Sequence, residues 1–158
     1  MDYHLDWLYA AIKMSTGGIS SDGHWDNAER IATGTQLDTD LLVVFRNKER
    51  TDIVMVEAKV KGSWDNRQMR KKVSRLTEVF GEAGNRWPST TPHFVLMSPR
   101  PERRLDTSFW PSWMMKNDNP LWIGLPLPER LSSLYRADSG GNSDSDGDRF
   151  AVKTTRPS

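Results

Sequence analysis

The sequence predicts an α/β domain with a central mixed β-sheet flanked by helices, and three patterns carry that expectation. Two apolar, β-prone runs, residues 40–45 and 51–60, flank the polar segment 46–50 and read as a hairpin. Met69, Val73, Leu76 and Phe80 then form a stripe at helical spacing within residues 63–80. Residues 93–97 and 121–125 follow as apolar runs bounded by prolines, which read as buried strands. A helix between strands favours a parallel crossover, so the hairpin joins a mixed sheet.

In chain order, residues 2–14 are expected to form the first helix. Leu5, Leu8 and Ile12 recur on one face, and Asp2 and Asp6 lie near the positive end of the helix dipole. After Gly17 and Gly18, residues 25–32 are a candidate first strand carrying Glu29, and residues 34–40 lead into the hairpin. A turn centred between Lys48 and Glu49 sets Asp40 opposite Glu57, with cross-strand Cβ atoms about 5 Å apart. On the second hairpin strand Ile53 and Met55 share the face of Glu57, while Val54, Val56 and Ala58 occupy the other. Both faces are apolar, so helices are expected on both sides of the sheet.

The helix over residues 63–80 has Gly81 and Gly84 as its stop and packs Arg67, Arg70, Lys71, Lys72 and Arg75 into its first turns. Such a charge density suits a phosphate backbone, with DNA the expected partner. Residues 100–104 and 109–115 combine basic and aromatic side chains. The simpler reading packs Trp110 and Trp113 against the sheet edge; the alternative stacks them on unpaired bases. Residues 128–135 are expected to form a last short helix. Residues 137–158, with an acidic Ser/Gly/Asp tract, are expected to be a disordered polar tail behind a single domain over residues 1–136.

Composition narrows the chemistry. The 158 residues include no cysteine, which excludes disulfides and thiolate metal sites, and His4, His24 and His93 have no metal-type spacing, so zinc is not expected. The chain has no long apolar stretch and opens on acidic residues rather than a basic leader, so a soluble, cytoplasmic protein without a membrane partner is expected. A formal net charge of +1 says nothing of partners, so the placement of charge has to carry any such argument.

Glu57 and Lys59 stand two apart at the end of an apolar strand and therefore project to one face, although neither residue type is buried without a partner. With Asp40 mirrored across the turn, two carboxylates and an ammonium meet at one end of the hairpin. Oxygen donors of this kind suit Mg²⁺, with Mn²⁺ as a substitute, and an adjacent ammonium can hold or activate a water. The plainer alternative is a solvent-exposed salt bridge worth at most about 1 kcal/mol.

Asp40 before the first hairpin strand, Glu57-Ala58-Lys59 at the end of the second and the basic helix with Gln68 together resemble the PD-(D/E)xK nuclease superfamily, over roughly residues 2–125 in element order. The resemblance implies a restriction-endonuclease-like core that hydrolyses phosphodiesters with Mg²⁺. In it, Asp40, Glu57 and the carbonyl of Ala58 hold the metal, Lys59 positions the attacking water, and Gln68 orients a water or phosphate oxygen. Arg67, Arg70, Lys71, Lys72 and Arg75 would hold the nucleic-acid backbone. Some relatives add an acidic ligand from the first helix; Asp2 and Asp6 are the candidates here, with Glu29 competing. Asp38 replaces Asp40 if the register shifts by two residues. A binding module without catalysis on the same fold, or a nuclease subunit that needs a targeting partner or a homodimer, are the alternatives.

Overall fold

The computed structural model describes residues 3–17, 20–34, 37–127 and 129–155; Asp2, Gly18, Thr35, Gln36 and Pro128 lie outside the described residues. The chain divides into two compact units, Met1–Gly124 and Leu125–Ser158. The first contains β1 (Tyr3–His4), α1 (Leu5–Gly17), β2 (Asp38–Thr39), β3 (Leu41–Arg46), β4 (Thr51–Ala58), α2 (Asn66–Phe80), β5 (Thr90–Ser98), β6 (Met115–Lys116) and β7 (Asn119–Gly124). Its five-stranded sheet has the order β3-β4-β5-β7-β6. β4, β5 and β7 run parallel, while β3 and β6 pair antiparallel at the two edges. The mixed α/β sheet is the one expected. No helix among the described residues is long and apolar enough to cross a membrane.

The hairpin register follows from turn chemistry. Asn47 N–H donates to the Arg50 carbonyl at 2.9 Å, and the Asn47 side-chain oxygen accepts from the amides of Glu49 and Arg50 at 3.0 and 2.7 Å. This centres the turn between Lys48 and Glu49 and sets Leu41 opposite Val56 and Arg46 opposite Thr51. One residue beyond the ladder, Asp40 N–H donates to the Val56 carbonyl at 3.1 Å, which brings Asp40 beside Glu57.

Registers across the sheet put Leu42, Ile53, Met55, Phe94 and Leu96 on one face. There they join a core with Leu5, Leu8 and Ile12 of α1 and Met69, Val73, Leu76 and Phe80 of α2. The other face carries Leu41, Phe45, Val54, Val56, Val95 and Ile123, of which Phe45 is 61% and Ile123 48% exposed. Helices on both faces were expected, and the structure corrects this. The β4–α2–β5 crossover places α2 on one side, and α1 packs beside it rather than across the sheet.

Residues 25–32 form no strand. Asn27 closes this stretch into a loop, donating to the Ala32 carbonyl at 2.9 Å and accepting from the Ala32 amide at 3.1 Å, while Ile31 reaches the core. The aromatic run packs inward. Trp110 is buried with its ring centroid 5.6 Å from that of Phe94, and Trp113 lies 5.8 Å from Phe80 in an edge-on contact.

The second unit is a two-stranded antiparallel hairpin of β8 (Leu131–Ala137) and β9 (Arg149–Thr155). The helix expected over residues 128–135 is therefore strand from Leu131, and residues 149–155, assigned by composition to a disordered tail, are its partner. The division into compact units falls between Gly124 and Leu125. Two local signals outweigh the low-complexity composition. Leu134 lies opposite Val152 on alternating strands, and Asp138 organises the connection by accepting from the amides of Gly140 and Asn142 at 2.9 and 2.8 Å. Gly147 fits because a Cβ there would collide with the Ala137 carbonyl.

One ion pair ties the first unit together from inside. Arg75 of α2 is 4% exposed and donates to the Asp6 carboxylate of α1, to the Ile31 carbonyl and to Glu78 at 2.6 Å. Asp6 also accepts from the amides of Thr33 and Gly34 at 2.8 and 2.6 Å. Burial disfavours the ionised form of Asp6, but the bonds from Arg75, Thr33 and Gly34 and the charge of Arg75 outweigh it and hold the carboxyl below its ordinary value. Asp6→Asn should lower stability at neutral pH by roughly 2 kcal/mol, the scale of a lost hydrogen bond to a charged group. Because the folded-state value is depressed, the contribution is present above the ordinary carboxylate value and fades as pH falls through the folded one. Melting curves of parent and variant should therefore converge in acid, and a gap that persists at low pH would show that the carboxylate charge is not the cause.

Candidate functional site

The start of α2 is fixed by Asp65, whose extended backbone and side chain cap the helix by accepting from the Gln68 amide at 2.8 Å. This phase turns Met69, Lys72, Val73 and Leu76 toward the sheet and leaves Gln68 and Lys71 exposed. Lys72 is thus carried beneath the helix, where its Nζ pairs with Glu57 Oε2 and lies 4.0 Å from Asp38 Oδ1. Asp38 is held there by the short β1–β2 pairing, with His4 opposite it, and by its neighbour Thr39, whose buried hydroxyl donates to the Val56 carbonyl at 2.8 Å. Asp38, Glu57, Trp64, Gln68, Lys71 and Lys72 line one pocket of about 370 Å³. Trp64 Nε1 is buried without an acceptor among the described residues.

The electrostatics of this pocket are those of a half-neutralised pair. Burial pushes the Glu57 carboxyl up; the bond and charge of Lys72 pull it down, Asp40 and Asp38 push it up again, and the net direction is upward. Lys72 therefore leaves a surplus of negative charge. Among the described residues no three His, Cys, Asp or Glu side chains are grouped to hold a metal ion; the carboxylates that the Lys72 ammonium faces are Asp38 and Glu57. Two carboxylates completed by water are an ordinary Mg²⁺ set, so this pair could hold one, and in the structure both face the Lys72 ammonium.

The other expected site residues are distributed differently. Asp40 lies beside Glu57 in the strand register, but its side chain is exposed and Oδ2 accepts from the Ala58 amide at 2.7 Å. Ala58 thus meets Asp40 through its N–H. Lys59 continues the sheet, donating its amide to the Met97 carbonyl at 2.8 Å, while its stem runs over Gly62, where an added Cβ would lie 3.9 Å from Lys59 Cε. Neither Asp40 nor Lys59 lines the pocket; Asp38 and the helix cap Asp65 are the carboxylates that share it with Glu57. Asp6 is committed to Arg75, and Glu29 pairs with Arg86 at 2.7 Å, so neither adds an acidic ligand.

The basic residues of α2 also separate. Arg67 and Lys71 are exposed and line, with Arg70 and Ser74, a second pocket of about 580 Å³ that shares Lys71 and Leu37 with the first. Arg70 pairs with Asp106 at 2.9 Å and stacks 3.9 Å from the Phe109 ring centroid. Lys72 and Arg75 are buried ion-pair partners and not surface contacts for a phosphate backbone. Their positions held the signal: Lys72 stands three residues after Met69 and four before Leu76, and Arg75 stands four before Val79, so helical spacing aims both inward. The chain matches no protein-family model, no curated protein and no solved structure.

Replacing Lys72 by Met should leave Glu57 buried beside Asp38 without its counter-charge. Glu57 already titrates above its ordinary value, and losing Lys72 should move it further up. The stability deficit of Lys72→Met relative to the parent should be small below that ordinary value, where the carboxyl is protonated in both proteins. It should grow as pH rises through the folded-state values, reaching roughly 2 kcal/mol. Chemical denaturation across this pH range measures it, and a deficit independent of pH would locate the effect in packing instead.

Proposed function

We propose that the first unit is a Mg²⁺-dependent nuclease, with Mn²⁺ as a substitute, that hydrolyses phosphodiester bonds in DNA on a restriction-endonuclease-like core. The observation that carries this reading is the cation position bounded by Asp38 and Glu57, now taken by the Lys72 ammonium, in a pocket that continues into a basic one. A bound Mg²⁺ would supply a polarised phosphoryl oxygen and a more acidic water. Asp38 and Glu57 would be its protein ligands. Gln68, exposed on the same pocket, has an amide that donates to a phosphate oxygen or orients a water. Arg67 and Lys71 lie where a backbone crossing both pockets would meet positive charge. Lys59 stands outside this pocket, and the reading does not depend on it.

A binding module without catalysis is the second reading, favoured by the one observation that Lys72 already neutralises part of the carboxylate pair. A subunit that cleaves only with a targeting partner, or as a homodimer, would show the same site and differ only in needing that partner.

Cleavage of linear, circular and single-stranded DNA, with Mg²⁺, Mn²⁺ or a chelator, separates these readings. Metal-dependent cleavage should be lost in Glu57→Ala and Asp38→Ala and retained in Asp40→Ala. Loss in Asp40→Ala with retention in Asp38→Ala would restore Asp40 as the ligand. Binding without cleavage under every condition would favour the inactive module. Neutralising Arg67 or Lys71 should weaken binding to all sequences alike and reduce the salt slope by about one unit per lost phosphate contact; an unchanged slope would place the backbone elsewhere.

A further inference from the structure

We infer that Lys72 is a built-in counter-cation of the Asp38–Glu57 pair, which a divalent cation must displace to enter, so that the metal site is closed by its own helix until metal arrives. The inference rests on the metal-dependent reading above and concerns how that site is regulated.

The Lys72 ammonium is on Glu57 Oε2 and 4.0 Å from Asp38 Oδ1, and so stands against both oxygens that would ligate a metal. A metal ion sharing those oxygens would face the ammonium at contact range with like charge, in surroundings where Lys72 is 9% exposed and solvent screens poorly. The two cations exclude one another. One ammonium against two carboxylates leaves a net negative charge, which a divalent ion arriving in its place would balance.

Lys72 also has somewhere to go. It reaches the carboxylates from a helix whose first turns line the pocket, beside Lys71 and Gln68. The four-carbon stem can swing the ammonium toward the pocket without moving the backbone. Once released, it adds a third donor where a phosphate oxygen would bind. Metal and phosphate binding would then reinforce each other, because the metal frees the cation that the phosphate uses.

The test combines calorimetric titration of Mn²⁺ and Mg²⁺ with amine acetylation footprinting of the full chain. In the parent, acetylation of Lys72 should be slow without metal and rise severalfold at saturating Mg²⁺, while Lys71 changes little. Lys72→Gln and Lys72→Met should bind Mn²⁺ at least roughly tenfold more tightly than the parent. Lys72→Arg, which keeps the cation, should not, and adding Glu57→Ala should abolish the gain. Metal binding by the parent with unchanged Lys72 acetylation, or equal affinity in parent, Lys72→Gln and Lys72→Met, would overturn the counter-cation while leaving the metal site standing. If Lys72→Gln and Lys72→Met fail to fold, the footprint of the parent decides alone. Absence of Mn²⁺ and Mg²⁺ binding in every protein would overturn the metal reading and this inference together.

Discussion

A cation on the buried side of a helix has to find a carboxylate, and α2 carries two such cations. Arg75 reaches Asp6 of α1, and Lys72 reaches Glu57 of β4. Losing one partner of such a part-buried pair costs roughly 2 kcal/mol, so the helix is favoured in the phase and position where both find oxygen. Apolar packing of Met69, Val73, Leu76 and Phe80 would tolerate small slides along the sheet; the two ion pairs do not. They therefore join α1, the loop at Ile31, the sheet and the candidate site into one constraint.

The same constraint explains which parts of the fold and site were legible in the sequence. Strand registers follow from local information, since Asn47 makes its turn with its own neighbours and period-two alternation then carries Asp40 to Glu57. Side-chain direction at the end of the strand does not. Asp40 finds the Ala58 amide, and Glu57 finds an ammonium fifteen residues further along the chain. Counting charges on residues 63–80 suggested a basic surface, while counting their spacing would have separated Arg67 and Lys71 from Lys72 and Arg75. Charge type suggests a partner class, and helical phase decides which residues would be available to it.

The sheet faces show a second limit of pattern reading. An apolar run without alternation reads as buried on both sides, and β4 has that character. Burial of the second face depends on which side the crossover helix takes and where α1 packs, and these are tertiary facts. Both helices sit on the face of Ile53 and Met55, which leaves Phe45 and Ile123 exposed on the other. In the second unit the error ran in the opposite direction. The polar composition around Asp138 suggested disorder, but Asp and Gly in that spacing are also turn formers, and strand pairing of Leu134 with Val152 uses them as such.

Stability and the proposed function meet at Glu57. A carboxylate half-buried near two others is costly for a fold, since burial first and the charges of Asp40 and Asp38 after it push its titration up, and the proposed metal site would draw on that same charge. A purely structural solution would replace Glu57, Asp38 and Lys72 together with apolar side chains of similar volume, which is often neutral or stabilising by about 1–4 kcal/mol. The chain instead keeps Asp38, Glu57 and Lys72 together beside a pocket that Asp65 and Lys71 also line, and Lys72 is the ammonium that both Asp38 and Glu57 face. A structural ion pair needs one partner for each charge and no access to solvent. Under the proposed function, a divalent cation beside a phosphate would use both the second carboxylate and the accessible volume.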